Sequence, residues 1–182
     1  MSSQLKYFII ASLMAALTAV GAQIRIPMFP VPFTLQTLFV ILAGSLIGPA
    51  WGSISMLIYL AMGLMGLPVF AGTSGPGIVV TPTFGYLFAF PICAYWIGKQ
   101  ISKIKITKRY FMKVLIVNLV GQLWIFGFGV SYLWLISNLY LENRMPLSKA
   151  VIVGFVVFIP SLIIKAVIAS WITSHMKKGK LI

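Results

Sequence analysis

The amino-acid sequence predicts an all-α integral membrane protein with six transmembrane helices. Only 8% of its 182 residues are charged and 60% are hydrophobic, whereas a soluble domain carries about 25% charged residues. The apolar residues form six segments separated by short links that are rich in proline, glycine or basic residues. We predict a single membrane-embedded domain over residues 1–182, with helices at 5–22, 34–47, 51–66, 84–101, 114–139 and 148–174.

The first apolar segment has the length and flanking charge of a signal peptide, because Lys6 stands near its start. We interpret the segment as a retained membrane helix. Small residues within it occur at small-xxx-small spacings, which allow another helix of the same chain or of a partner to approach closely. They include Ala11, Ser12, Ala15 and Ala16.

A proline-rich link joins the first two helices. Three prolines within residues 27–32 hold this link in an extended path. Thr34 and Gln36 then enter the second helix, and polar side chains that enter an apolar span usually meet a partner or a ligand. Because only Gly48-Pro49 separates the second helix from the third, these two helices should form an antiparallel pair.

The segment between the third and fourth helices, residues 67–83, is the least ordinary stretch of the chain. It combines glycines and prolines that cannot continue a helix with an absence of charge that does not suit a solvated loop. Irregular backbone near membrane depth is tolerated where it is buried in protein or lines a cavity. We call this segment the lid, since it predicts a lid or re-entrant loop over a ligand pocket. The alternative is a compact connector without a ligand role.

The fourth to sixth helices carry the remaining candidate groups. Pro91 is expected to interrupt the fourth helix, and Tyr86 near its start offers a flat wall for a ring. Asn118 and Gln122 lie one turn apart on one face of the fifth helix. They either line a cavity or bridge helices through hydrogen bonds.

Basic residues are distributed unequally between the two ends of the predicted helices. Ten lie on the side that holds both termini and the linker between the fourth and fifth helices, and three lie on the other side. The positive-inside rule therefore predicts cytoplasmic termini. The lid and the proline-rich link should then lie together on the outer side. Because this rule accounts for the excess of basic residues, we do not expect nucleic-acid binding.

Catalytic and metal-binding groups are scarce in this chain, which has one acid, Glu142, one histidine, His175, and one cysteine, Cys93. Paired-carboxylate, metal-dependent and Cys/His catalysis each need more groups than these. There is also no GxxxxGK[ST] motif for ATP. We predict that the protein is not an enzyme and has no metal or cofactor.

Lys165 is the most informative single residue, because it lies well inside the sixth apolar segment. A charged side chain there costs a few kcal/mol, roughly 2.5–3.5 on insertion scales, and usually faces a pocket or a partner. No acid occurs within any predicted helix to pair with it. A ligand carboxylate would supply the missing anion, and the alternative is a lysine that extends to the cytoplasmic interface.

Four sequence blocks in the first half of the chain resemble the biotin S-component family (BioY type), the substrate-binding membrane subunits of energy-coupling-factor vitamin transporters. The resemblance covers nearly the whole chain, and the stretch from Phe158 to Ala166 also fits. The four blocks are Val31–Thr37 (VPFTLQT), Leu42–Pro49 (LAGSLIGP), Gly66–Gly72 (GLPVFAG) and Thr81–Tyr86 (TPTFGY).

The resemblance implies a six-helix S-component fold in a bacterial plasma membrane that captures biotin from outside. The lid and the proline-rich link would close over the ligand. Ala11, Ser12, Ala15 and Ala16 would dock on a transmembrane coupling subunit, and two ATPase subunits would supply the energy. The S-component would topple in the membrane to release biotin inside.

The last helix departs from the family's usual Pro-Gly-Asp-x-x-Lys pattern, whose acid and lysine both line the pocket. The matching residues here are Pro160, Ser161, Leu162 and Lys165, so the lysine is retained and the acid is replaced by leucine. Lys165 would take the carboxylate of biotin. Contacts to its ureido ring would come from residues of the lid and of the second and fifth helices. The full set of candidate binding residues is Lys165, Thr34, Gln36, Gly72, Thr73, Ser74, Tyr86, Asn118 and Gln122.

Two other functions remain open from the sequence. The first is the same transport role for another small carboxylate, such as a biotin precursor or lipoate, and the replaced acid favours it. The second is a membrane assembly protein without a ligand. The unpaired Lys165 and the apolar lid argue against the second.

Overall fold

The computed structural model describes residues 3–141 and 144–179 and is almost entirely helical. Glu142 and the tail residue Lys180 lie outside the described residues. The helices are α1 (Ser3–Gln23), α2 (Gln36–Ile47), α3 (Pro49–Leu64), α4 (Phe84–Ile101), α5 (Tyr110–Leu139), α6 (Leu147–Gly154) and α7 (Ile159–Lys178).

The predicted helical segments correspond to these helices, with three differences. α2 begins at Gln36, because Thr34 belongs to a two-residue strand that pairs with Arg25–Ile26 across the proline-rich link. α4 continues through Pro91, so the interruption expected there was wrong. Proline is tolerated within a membrane helix where neighbouring helices compensate for the lost backbone bond, and α4 packs against α2, α3 and α5.

The third difference is a break in the predicted sixth helix. A short 3₁₀ helix, Val156–Phe158, separates α6 from α7. Pro160 explains this position: it has no backbone N–H to donate to residue 156, and its ring would collide with that residue's carbonyl group in a continuous helix. At the second position of α7 the missing donor costs nothing, because the first turn of a helix leaves its donors unpaired.

α4 lies at the centre of the bundle and packs against α2, α3 and α5. One close approach is at Gly44 of α2, where the absence of a side chain leaves room for the backbone of Ala94. α2 and α3 are joined through Gly48 alone, whose φ of +86° is accessible to glycine at little cost. The predicted antiparallel pairing of α2 and α3 thus rests on one glycine.

The outer faces of the long helices are apolar. Along α7, Ile163, Ile164, Val167, Ile168 and Trp171 are all exposed. An exposed face without polar residues suits lipid rather than water. Within the described residues, Gln4–Gln23, Tyr110–Leu139 and Leu147–Lys177 are long and apolar enough to cross a membrane, whereas α2 and α3 are shorter apolar helices.

Candidate ligand-binding site

A cavity of about 260 Å³ lies beneath the lid, where the proline-rich link, the start of α2, and helices α4, α5 and α7 converge. Its volume is close to the lower end of small-ligand sites, roughly 300 Å³. Five aromatic rings contribute to its apolar wall. They belong to Phe70, Tyr86, Phe90, Phe126 and Phe158.

The lid is folded onto the bundle and contains a short 3₁₀ helix, Pro76–Val80. Three side chains from three different helices hold it in place, and each donates to a backbone carbonyl. Tyr59 of α3 donates to Val69 at 3.0 Å, and Gln23 of α1 donates to Pro68 and, more distantly, to Phe70. Tyr132 of α5 donates to Val79. These bonds to its main chain therefore hold the lid over one side of the cavity.

Lys165 reaches this cavity from α7 and is 7% exposed. Its ammonium group donates to the carbonyl oxygen of Thr34 at 2.6 Å and to Oγ1 of Thr37 at 3.0 Å. The ring of Phe33 lies 5.0 Å away in a cation–π contact. Among the described residues there is no carboxylate side chain to pair with this charge, because the chain's single acid is Glu142.

Thr34 and Gln36 also line the cavity and are hydrogen-bonded to each other. Oγ1 of Thr34 donates to Oε1 of Gln36 at 2.8 Å, and Nε2 of Gln36 donates to the hydroxyl of Tyr59 at 2.5 Å. Both side chains are buried. They place polar groups beside the ammonium group at one end of the cavity.

The lid contributes Gly72 and Thr73 to the cavity lining, both of them exposed. Ser74 does not line the cavity; its hydroxyl is buried without a hydrogen-bond partner. The ring of Tyr86 lines the cavity, while its hydroxyl donates to the carbonyl of Gly154 at 2.9 Å and braces α4 against the end of α6. Of these four candidates, three therefore face the same space.

Asn118 and Gln122 do not line the cavity, contrary to their inclusion among the candidate binding residues. The amide of Asn118 joins Ser45 of α2 to Ser170 of α7, at 3.1 and 2.9 Å. Gln122 donates to the carbonyl of Leu162 at 3.0 Å. Both are fully buried between helices, and the structure assigns them the helix-bridging role.

Three threonines that the sequence analysis did not select also line the cavity. Thr37 binds Lys165, and Thr81 and Thr83 lie 3.0 Å apart at the junction of the lid with α4. Thr81 and Thr83 flank Pro82 in the TPTFGY block, so the signal was present in the lid sequence. Thr37 ends the VPFTLQT block, but a threonine in an apolar helix usually bonds its own backbone, so its chemistry did not single it out.

Leu162 stands where the family pattern has an acid. It is buried at 7% exposure and does not line the cavity. The neighbouring hydroxyl of Ser161 is buried without a hydrogen-bond partner. Position 162 therefore brings no polar group to the ligand space.

The small residues of α1 divide between two faces. Ala11 and Ala15 are completely buried within the bundle, so they cannot dock on another subunit in this conformation. Their small size serves packing against α2 and α3 instead. Ala16 is exposed and Ser12 is partly exposed, so these two remain on the outer face.

An apolar-walled cavity within a membrane-embedded bundle, with one buried cation and a closed lid, defines a small-molecule-binding membrane protein. The family follows from sequence: the chain belongs to the BioY family, whose model matches residues 1–180. The resemblance seen in the sequence blocks is thus confirmed. The chain is a multi-pass membrane protein of a transporter family and not an enzyme.

Similar proteins match this chain over most of their length. The chain is 43% identical over 149 residues to a probable biotin transporter BioY of Lysinibacillus sphaericus, covering 81% of this chain and 74% of that protein. It is 39% identical over 175 residues to a biotin transporter BioY of Thermotoga maritima, covering 96% and 97%.

A solved structure agrees as well. The crystal structure of the S-component for biotin from an ECF-type ABC transporter superposes with a TM-score of 0.84 at 31% identity, covering 98% of this chain and 95% of that one. The expected helical S-component fold is confirmed by this match.

Proposed function

We propose that this protein is the biotin-binding membrane subunit of an ECF-type transporter. The observation that carries the proposal is Lys165, a buried ammonium group that faces an apolar cavity and has no carboxylate partner among the described residues. Biotin offers a carboxylate for that charge and a compact ring system for the aromatic wall. No cofactor is needed for capture, since ATP is used by other subunits.

Two groups of polar residues in the cavity lining suit the two ends of biotin. At one end, Lys165 and Thr37 supply donors for the carboxylate, and Gln36 supplies an amide. At the junction of the lid with α4, the hydroxyl of Thr81 donates to the carbonyl of Ile78 at 2.7 Å and lies 3.0 Å from that of Thr83, so these two threonines offer acceptors to the N–H groups of the ureido ring. The apolar chain and the sulfur-containing ring of biotin would lie against the aromatic wall between them.

Several features of transport belong to the same proposal. The six predicted spans would place both termini in the cytoplasm and the lid outside, so that biotin enters from the outer face. A transmembrane coupling subunit and two ATPase subunits would then drive release inward. One domain, residues 1–182, would perform the capture step.

Leu162 favours one alternative within the same class. With an apolar residue in place of the family acid, the cavity has fewer groups for a ureido ring. A different small carboxylate, a biotin precursor or lipoate, is therefore the second candidate. A non-transport assembly role would leave the buried charge and the lined cavity without a purpose.

Calorimetry on the detergent-purified protein tests this proposal directly. We expect biotin to bind at least about 100-fold more tightly than lipoate, because two polar ends and a flat wall discriminate by more than the roughly 2.7 kcal/mol that this ratio represents. Dethiobiotin and biotin methyl ester serve as comparators for the sulfur ring and the carboxylate. Tighter binding of lipoate or dethiobiotin than of biotin would transfer the proposal to that ligand.

The outer face of α1 leads to a separate prediction about the coupling subunit. Ala16→Trp should abolish or greatly reduce biotin uptake by cells that express the whole transporter, while biotin binding by the purified subunit stays within about twofold. A large ring on an exposed small residue blocks close helix approach without reaching the cavity.

The matched control is Ala61→Trp, the same change at an exposed alanine of α3. It should leave uptake near the native rate. Uptake that survives in the Ala16 variant, or falls equally in both variants, would place the docking face elsewhere.

A further inference from the structure

A continuous chain of side-chain hydrogen bonds connects the cavity with the lid. Oγ1 of Thr34 donates to Gln36 at 2.8 Å, Nε2 of Gln36 donates to the hydroxyl of Tyr59 at 2.5 Å, and that hydroxyl donates to the carbonyl of Val69 at 3.0 Å. The chain thus starts at residues that line the cavity and ends on the main chain of the lid.

The chemistry of its members fixes the direction of this chain. A tyrosine hydroxyl has one proton, and the carbonyl of Val69 can only accept. Tyr59 must therefore accept its second bond, which turns the amide nitrogen of Gln36 toward it and the amide oxygen toward Thr34. Bonds that all point one way polarise one another and strengthen together.

Tyr59 lies at the centre of this arrangement without lining the cavity. Its side chain is completely buried, and its ring meets that of Phe70 edge to face, with centroids 5.3 Å apart. Gly63, one turn later on α3, leaves the space that the ring of Phe70 fills. Because Phe70 is part of the aromatic wall, Tyr59 holds both the backbone and an inward-facing ring of the lid.

The other end of the chain meets the buried charge. The carbonyl of Thr34 accepts from Lys165 at 2.6 Å, so the same residue that begins the chain also holds the ammonium group. A ligand that draws the amide of Gln36 toward itself would change the bond that Tyr59 accepts, and one that draws Lys165 away would release the carbonyl of Thr34, the residue that begins the chain. This arrangement offers a route from occupancy of the cavity to the position of the lid.

We propose that Tyr59 is a positioning residue that couples ligand occupancy to closure of the lid, through Gln36 on one side and Val69 on the other. This inference rests on the proposed function, since it takes biotin as the ligand. The role of Tyr59 is to slow the escape of bound ligand, and Tyr59 makes no contact with the ligand itself.

Tyr59→Phe tests the inference, because it removes the hydroxyl and keeps the ring. We expect biotin dissociation to become about three- to tenfold faster, the range that one net hydrogen bond allows. The association rate should stay within about twofold. Tyr110→Phe is the matched control: it makes the same change in a buried ring at the start of α5, about 22 Å along that helix from the cavity residue Ile125.

A reporter on the lid separates coupling from simple stability. Leu67 is half exposed, and the native Cys93 is fully buried, so a maleimide should label Leu67→Cys selectively. In the native background biotin should slow this labelling. In the Tyr59→Phe background labelling should be faster without ligand, and biotin should no longer slow it.

Each outcome decides the matter. Unchanged dissociation, or a parallel loss of thermal stability with biotin protection of the reporter retained, overturns the inference. If the native protein does not bind biotin, the proposed function fails, and the inference is then judged by ligand-free labelling in the two backgrounds. If Tyr59→Phe does not fold, Gln36→Met breaks the same chain from the other side, and its reporter must show the same loss of protection.

Discussion

Lys165→Met should weaken biotin binding by roughly 2–5 kcal/mol, which corresponds to about 30-fold to several thousand-fold in Kd. Removing one member of a buried, hydrogen-bonded charge pair has effects of this size. Methionine is an unbranched apolar side chain only one heavy atom shorter than lysine, so the change removes the ammonium group, with its cation–π contact to Phe33, and keeps most of the side-chain volume. Calorimetry with biotin measures the loss.

Stability of the ligand-free protein provides the internal check on this variant. An ammonium group buried without a counter-charge is costly, so replacing it should leave the thermal unfolding temperature unchanged or raise it. Lys149→Met, at an exposed lysine, is the matched control and should bind as the native protein does.

The identity of the bound group is tested by the ligand. In the native protein biotin amide should bind more weakly than biotin, and the Lys165 variant should lose that preference. If the variant still prefers biotin to biotin amide, Lys165 contacts the ureido end of the ligand. If the variant binds biotin with native affinity, Lys165 is not part of the site.

Gly44→Ala should strongly destabilise the bundle. A Cβ atom at this position would meet the backbone carbonyl of Ala94, which cannot turn aside as a side chain can. Overpacking of this kind costs about 1–3 kcal/mol, and α4 carries part of the cavity wall on the same helix. Thermal unfolding in detergent should show a clear loss of stability.

Gly127→Ala is the matched control, since a Cβ there would meet nothing within 4 Å. Alanine is the better helix former by up to about 1 kcal/mol, so this variant should be as stable as the native protein or more stable. Equal behaviour of the two alanine variants would mean that the α2–α4 contact is looser than the structure has it.

Hydropathy alone was sufficient for most of the fold. Runs of apolar residues located the helices, and Gly48 with Pro49 located the tightest turn, because no other residues follow that path at so low a cost. Lys165 was found for a similar reason: a charge within an apolar span has few explanations. Features of this kind can be recognised from the sequence without a structure.

The sequence did not predict which face of each helix turns toward the interior of the bundle. Ala11 and Ser12 are neighbours in the sequence, yet Ala11 is buried and Ser12 is partly exposed. The small size of both residues suits either face of the helix. Asn118 has the same chemistry whether it meets a ligand or Ser170, and only the packing of α5 against α7 decides between them. Pro160 indicates the break before α7, but the prediction of one continuous helix followed the uninterrupted run of apolar residues instead.

The lid is anchored through its main chain: its carbonyl groups accept from the side chains of Gln23, Tyr59 and Tyr132, and the N–H of Gly75 donates to Gly63 of α3 at 2.7 Å. The side chains that make these bonds therefore belong to the helices, and the lid contributes peptide groups to them, together with the buried side chains of Phe70 and Ile78. An exposed lid side chain such as Thr73 can therefore be substituted without loss of the hydrogen bonds that anchor the lid. Selectivity for a ligand and closure over it are thus separable properties, open to independent change during evolution or engineering.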